Sequence, residues 1–284
     1  MIHPSLPWRR ASLALALWTL ISCEGGRREA APRPGGGPTP ASAVKEGEDA
    51  ARSAARKAAS ALQDASGYVV GPVASPGVLE VSAVYTGETI PEPTEVPVNV
   101  DVPFCGHKVF TEDVLVDRET RGLKNVVVRL EGIAKGKAPP SMVTVTNRNC
   151  AFDPHVSVAV KGMRIDVRNA DPVLHTTHPY VNGSSLFNLS LAAGAEPPPP
   201  RPIARTGLME INCDIHKWMR AYVVIHTNPY IDVTGKEGKL KLEDIPAGRY
   251  PFVAWHEHLG EKRGEVEIAA GQTTQLRLEF APSR

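Results

Sequence analysis

Two short stretches of the 284-residue chain carry side chains able to hold a metal. Cys213-Asp214-Ile215-His216-Lys217-Trp218-Met219 sets a thiol, an imidazole and a thioether at intervals of three, and Asn169-Ala170-Asp171-Pro172-Val173-Leu174-His175 ends in a second imidazole. One thiolate, two imidazoles and a weak axial thioether form the donor set of copper sites that pass single electrons. A tight loop between two strands can deliver Cys213, His216 and Met219 together, whereas His175 has to arrive from a distant strand. Cys213 and His216 alone also fit a buried thiol beside a surface histidine; Met219 and the upstream turn argue for metal. Zinc accepts Cys and His too, but structural zinc sites take four strong ligands and rarely use Met. His178 follows His175 by three residues and, on a continuing strand, faces the other way, which marks it as a structural or surface histidine.

The elements that position these residues read as β. Apolar and polar residues alternate in Met142–Thr146, His155–Val160, Arg164–Arg168 and Glu265–Ile268, and Gly or Pro punctuates nearly every interval. No capped amphipathic stretch of helical length follows residue 66. The expectation is an all-β protein of short-stranded sandwiches or barrels. Pro197 to Pro200, within Ala192–Arg205, predict an exposed connection.

Composition removes whole classes of function. With 32 Lys+Arg against 31 Asp+Glu, there is no strongly basic surface for nucleic acid. Arg9 and Arg10 precede an apolar stretch, Ala11 to Ile21, too short to span a bilayer. It reads as a secretory signal, and Leu20-Ile21-Ser22-Cys23 resembles the bacterial lipobox, which implies cleavage before Cys23 and a lipid on it. Its removal takes two bases and no acid, so near-neutrality persists. Residues 23–66 lack the large aliphatic residues needed to offset ordering entropy and read as a disordered Gly/Pro/Ala-rich tether. Membrane attachment is then by lipid alone, on the extracytoplasmic side of the bacterial cell envelope, periplasmic or at the outer membrane.

Residues 149–227 resemble amicyanin-type cupredoxins, of the plastocyanin-like blue copper class. The likeness is carried by Phe152-Asp153-Pro154, Lys161-Gly162, Asn169 with His175 six residues on, Gly207 six residues before Cys213, and Cys213 to Arg220 followed by Val223-Val224-Ile225. It implies a Greek-key sandwich and one type 1 copper ion on His175, Cys213, His216 and axial Met219, with an exposed His216 edge offered to the partner. Two positions depart from the family pattern. Thr176 stands where an Asn usually follows the first ligand and has no amide to tie the loop; Lys217 stands where amicyanins have Pro.

With Cys23 on lipid and Cys213 on metal, Cys105 and Cys150 remain, and in an exported protein they are expected to form a disulfide. The rival is a second metal site, since His107 and His155 lie near those cysteines. The expected organisation is a signal peptide over 1–22, a tether over 23–66, an N-terminal β region over 67–148, the cupredoxin domain over 149–227, and over 228–284 a segment resembling the carboxypeptidase regulatory-like β module. Trp255-His256-Glu257 is read as a packed Trp flanked by exposed polar groups. No constellation supports hydrolysis or nucleotide chemistry, so the chain reads as a non-enzymatic electron carrier whose partner is another redox protein, a dehydrogenase or cytochrome. The alternatives are a copper-delivery protein and an envelope binding or adhesion protein with a vestigial metal site.

Overall fold

The structure, a computed structural model, describes residues 67–282. The signal stretch, Cys23 and the tether lie outside those residues. No helix among the described residues is long and apolar enough to cross a membrane. The helix Val102–Cys105 has four residues, and the remaining elements are strands, as the alternation predicts.

Residues 142–226 build the unit that carries the candidate ligands. One sheet runs, in spatial order, Arg201–Pro202, Arg164–Asn169, Met142–Arg148, Ala151–Asp153. The other runs Ser184–Ser185, His175–Val181, Gly207–Asn212, Arg220–His226, Val156–Val160, with Leu189–Leu191 paired beside His175–Val181. Val143, Val145, Ile165 and Val167 from the first sheet share a buried cluster with Met209, Ile211, Val223 and Ile225 from the second. The proline-dense connection is mostly exposed, but Arg201–Pro202 pairs with Arg164–Ile165 at a sheet edge and Ile203 is buried. Proline is tolerated at such an edge, where no ladder donor is needed.

Arg220–His226 does not alternate, because both of its faces are covered. Ala221, Val223 and Ile225 belong to the sandwich interior, while Tyr222 and Val224 join Val127, Val156 and Ile231 in a second cluster, with Trp255 packed against it. Burial on both faces gives a continuous apolar run in place of a period of two. A buried Val or Ile contributes roughly 1.5–3 kcal/mol relative to exposure, so this second cluster fastens the ligand-bearing unit to its neighbour.

That neighbour is assembled from both flanks. One sheet orders Ile231–Val233, Val127–Leu130, Gly248–His256, Gly260–Ile268, and another orders Lys239–Ile245, Gly77–Tyr85, Thr273–Phe280. Segments 67–148 and 228–284, expected as separate additions, thus interleave their strands, and Met142–Arg148 belongs to the ligand-bearing sheet instead of the N-terminal region. Gly77–Tyr85 is buried along most of its length and takes its strand partners from the distant C-terminal segment, Lys239–Ile245 on one edge and Thr273–Phe280 on the other.

Candidate metal centre

His175 opens the strand His175–Val181, directly after a turn built by Asn169. The Asn169 amide donates to the carbonyls of Val173 and Leu191, at 2.8 Å each, and its oxygen accepts the Asp171 N–H. Asp171 is buried and collects three donors: the N–H groups of Asn149 (2.7 Å) and Cys150 (2.9 Å), and Nε2 of His175 (2.9 Å). With its proton on Nε2, the His175 ring turns a lone pair on Nδ1 inward, and that buried atom has no hydrogen-bond partner.

Cys213 follows the strand Gly207–Asn212, and the loop after it is closed by backbone bonds from Met219 N–H to the His216 carbonyl (2.9 Å) and from Cys213 N–H to the Met219 carbonyl (3.3 Å). The Cys213 sulfur, the one free cysteine among the described residues, receives the N–H groups of His216 and Thr176, both at 3.4 Å, and lies 3.6 Å from the Thr176 hydroxyl and from Nδ1 of His216. Burial pushes the thiol up, but the neighbouring His175 ring and the donors from His216 and Thr176 outweigh it, bringing Cys213 down to about 6. Ligand atoms of His175, Cys213 and His216 all lie within 4.8 Å of one another, and the residues are 0%, 2% and 0% exposed. The two imidazole rings are 4.6 Å apart at their centroids. A thiolate between two inward lone pairs is a soft-to-borderline donor set, suited to copper or zinc. Met219 is buried on the same loop.

His216 departs from expectation. Its outer edge is not open: Nε2 donates to the Asp101 carboxylate at 2.9 Å, and the ring is fully buried. Asp101 lies 115 positions upstream, and no spacing in the sequence signals it. Lys217 and Arg220 are exposed near this end, but Arg220 is paired with Glu210. Thr176 also differs from expectation, since its hydroxyl oxygen accepts the Asp214 N–H at 2.6 Å and so ties the ligand loop to the His175 strand without an amide.

Cys105 and Cys150 are joined in a disulfide. Neither is then available as a thiolate, which removes a second metal site built on them with His107 and His155. His107 is exposed, and His155 pairs instead with Glu257. His178 takes no part in the cluster; it contacts Asp214 and Ser185 and stacks on Tyr180. The expectation of exposed polar groups after Trp255 is overturned too. His256 is 1% exposed beside Phe280 of its own unit, and the Glu257 side chain is 4% exposed where it meets His155 across the join between the two units.

No family model matches the chain, and no curated protein matches it. Among solved structures, the chain is similar to a Cu-containing nitrite reductase (NirK) from Thermus scotoductus SA-01, at 20% identity and a TM-score of 0.27, over 34% of this chain and 24% of the reductase. It is also similar to amicyanin from Paracoccus versutus (12% identity, TM-score 0.27, 35% of this chain and 97% of amicyanin) and to a point mutant of amicyanin in its Cu(I) form (11%, 0.27, 35% and 98%). The chain thus spans about a quarter of the reductase and nearly all of amicyanin.

Proposed function

We propose that His175, Cys213 and His216, with Met219 as a weak further donor, would hold one type 1 copper ion, and that the protein carries single electrons in the cell envelope, anchored by lipid at Cys23. The observation that carries this reading is a buried thiol set between two buried imidazoles whose outer nitrogens are engaged by carboxylates and whose ligand atoms lie within 4.8 Å of it and of one another. Copper supplies the one-electron couple; the chain supplies donors already fixed in place. Asp171 and Asp101 keep the protons on Nε2, so neither ring has to turn or lose a proton to present its lone pair. The backbone N–H groups of Thr176 and His216 stabilise the thiolate in a site closed to water. Rigid donors leave little to reorganise when the charge changes by one. Enclosure favours a retained ion over a delivered one, since release requires Asp101 to move off His216. The partner is a second redox protein.

Adding Cu(II) to the full chain tests this. A strong visible thiolate-to-copper band that Cys213→Ser abolishes, that bleaches with reductant and that returns on oxidation with the metal retained, supports electron transfer. A colourless protein overturns type 1 copper, and loss of metal on reduction favours delivery.

A further inference from the structure

Asp101 does not belong to the ligand-bearing sandwich. It lies between two strands that pair as a hairpin, Glu95–Pro97 with Lys108–Phe110, and directly precedes the helix Val102–Cys105. Its backbone takes the left-handed conformation (φ 50°, ψ 32°), and its carbonyl accepts the N–H groups of Phe104 and Cys105, both at 2.9 Å. Such a conformation is uncommon outside glycine, although Asp tolerates it better than most. Cys105 then bonds to Cys150, whose N–H binds Asp171 and whose carbonyl accepts Trp218 Nε1–H at 3.0 Å. The Trp218 ring lies 5.1 Å from the His216 ring. A closed circuit results: His216 to Asp101, along the short helix to Cys105, through the disulfide to Cys150, and by Asp171 to His175. The outer nitrogens of both imidazoles lead back to one covalent link.

We propose that Asp101 is a positioning residue of the metal centre, and that the Cys105–Cys150 disulfide holds it against His216. This rests on the copper reading above. The carboxylate fixes the His216 ring with Nδ1 as its free donor, raises the basicity of that donor, and covers the edge through which water would otherwise reach the site. The accessory hairpin is therefore a working part of the centre, and the ligand-bearing sandwich is incomplete without it. An anion at this position favours the more positively charged, oxidised state of a bound ion.

The test compares the full chain with Asp101→Ala, Asp101→Asn and the double variant Cys105→Ser/Cys150→Ser. Asparagine keeps an acceptor for Nε2–H but removes the charge, so it separates ring placement from electrostatics. Removing such a partner costs about 10–100-fold in metal affinity. If the whole loss falls on the oxidised state, each tenfold raises the midpoint potential by about 59 mV. Expected for Asp101→Ala are weaker Cu(II) binding by competition, a raised potential and an altered charge-transfer band. Asp101→Asn should be intermediate, and the double variant should shift in the direction of Asp101→Ala. A folded Asp101→Ala variant with affinity within twofold of the parent and an unchanged band and potential overturns the inference while leaving the copper reading intact. If the parent takes up no copper, the copper reading fails, and NMR of the metal-free protein decides this one. A slowly exchanging His216 Nε2 proton that is lost in Asp101→Ala supports the positioning role, and its absence from the parent overturns it.

Discussion

Replacing Asp171 by alanine should damage the fold and the candidate metal centre separately, in amounts that follow from what the carboxylate touches. It satisfies three donors, the N–H groups of Asn149 and Cys150 and Nε2 of His175. Asn149 is exposed, so its N–H can turn to water, but Cys150 and His175 are buried at 1% and 0% exposure. Each buried donor left without a partner costs about 1–3 kcal/mol, which gives roughly 2–6 kcal/mol for the pair. The turn makes matters worse, because Asn149 and Cys150 both have positive φ (54° and 57°), a conformation non-glycine residues resist and the carboxylate clamps. Urea unfolding of the metal-free variant should show this loss as a lower midpoint at unchanged slope. Metal competition should show a further 10–100-fold fall in affinity, because the freed His175 ring no longer presents Nδ1 reliably. Asp171→Asn, which retains one acceptor, should lose less of both. A metal-free Asp171→Ala protein within about 1 kcal/mol of the parent, with unchanged metal affinity, would refute the claim that this carboxylate holds turn and ligand together.

Thr176→Val removes the acceptor for Asp214 N–H and the hydroxyl near Cys213, so titration of the thiolate ultraviolet absorbance should place Cys213 above its value of about 6. Cys105→Ser/Cys150→Ser opens a loop of 45 residues and should cost about 4 kcal/mol in the chain-entropy model, seen as a fall of about 8–16 °C in Tm. His256 should make stability fall in mild acid. Burial, with smaller contributions from His258 and His155, lowers it to about 4, while an unfolded histidine titrates near 6.5. Between those values the unfolded chain binds the extra proton, so stability is full above about pH 6.5 and drops by about 3 kcal/mol towards pH 4. His155, whose own burial is outweighed by the Glu257 carboxylate and which is held up, acts in the opposite sense. Unfolding curves across that range should therefore be compared between the parent and His256→Gln, in which the drop should shrink.

The alternation of Met142–Thr146 and Arg164–Arg168 was enough to identify strands, because a half-buried strand writes its own burial into its sequence. The candidate loop stood out for a similar reason, since Cys213, His216 and Met219 are neighbours along the chain, and the fold brings His175 to Cys213 and His216. The disulfide followed from how few cysteines had other work. Asp101 could not be found in this way: an Asp in a loop is unremarkable until the fold carries it 115 positions to an imidazole. Asp171 stood within the turn already singled out, yet its role emerges only when Asn149, Cys150 and His175 converge on it. Sheet partnership was equally hidden, because alternation says which face of Gly77–Tyr85 is buried but not that Thr273–Phe280 lies beside it.

That last pairing bears on the order in which the protein can be made. Every strand of the ligand-bearing sandwich lies within residues 142–226, so it can close before the end of the chain emerges. The other unit must wait, since its central strand pairs in parallel with the last strand, joining Val78 to Thr273 and Tyr85 to Phe280. Long-range parallel pairing of this kind closes slowly. A chain cut before Thr273 would retain all four candidate ligands and still present the hydrophobic edge of Gly77–Tyr85, a template on which other chains can add strands and aggregate.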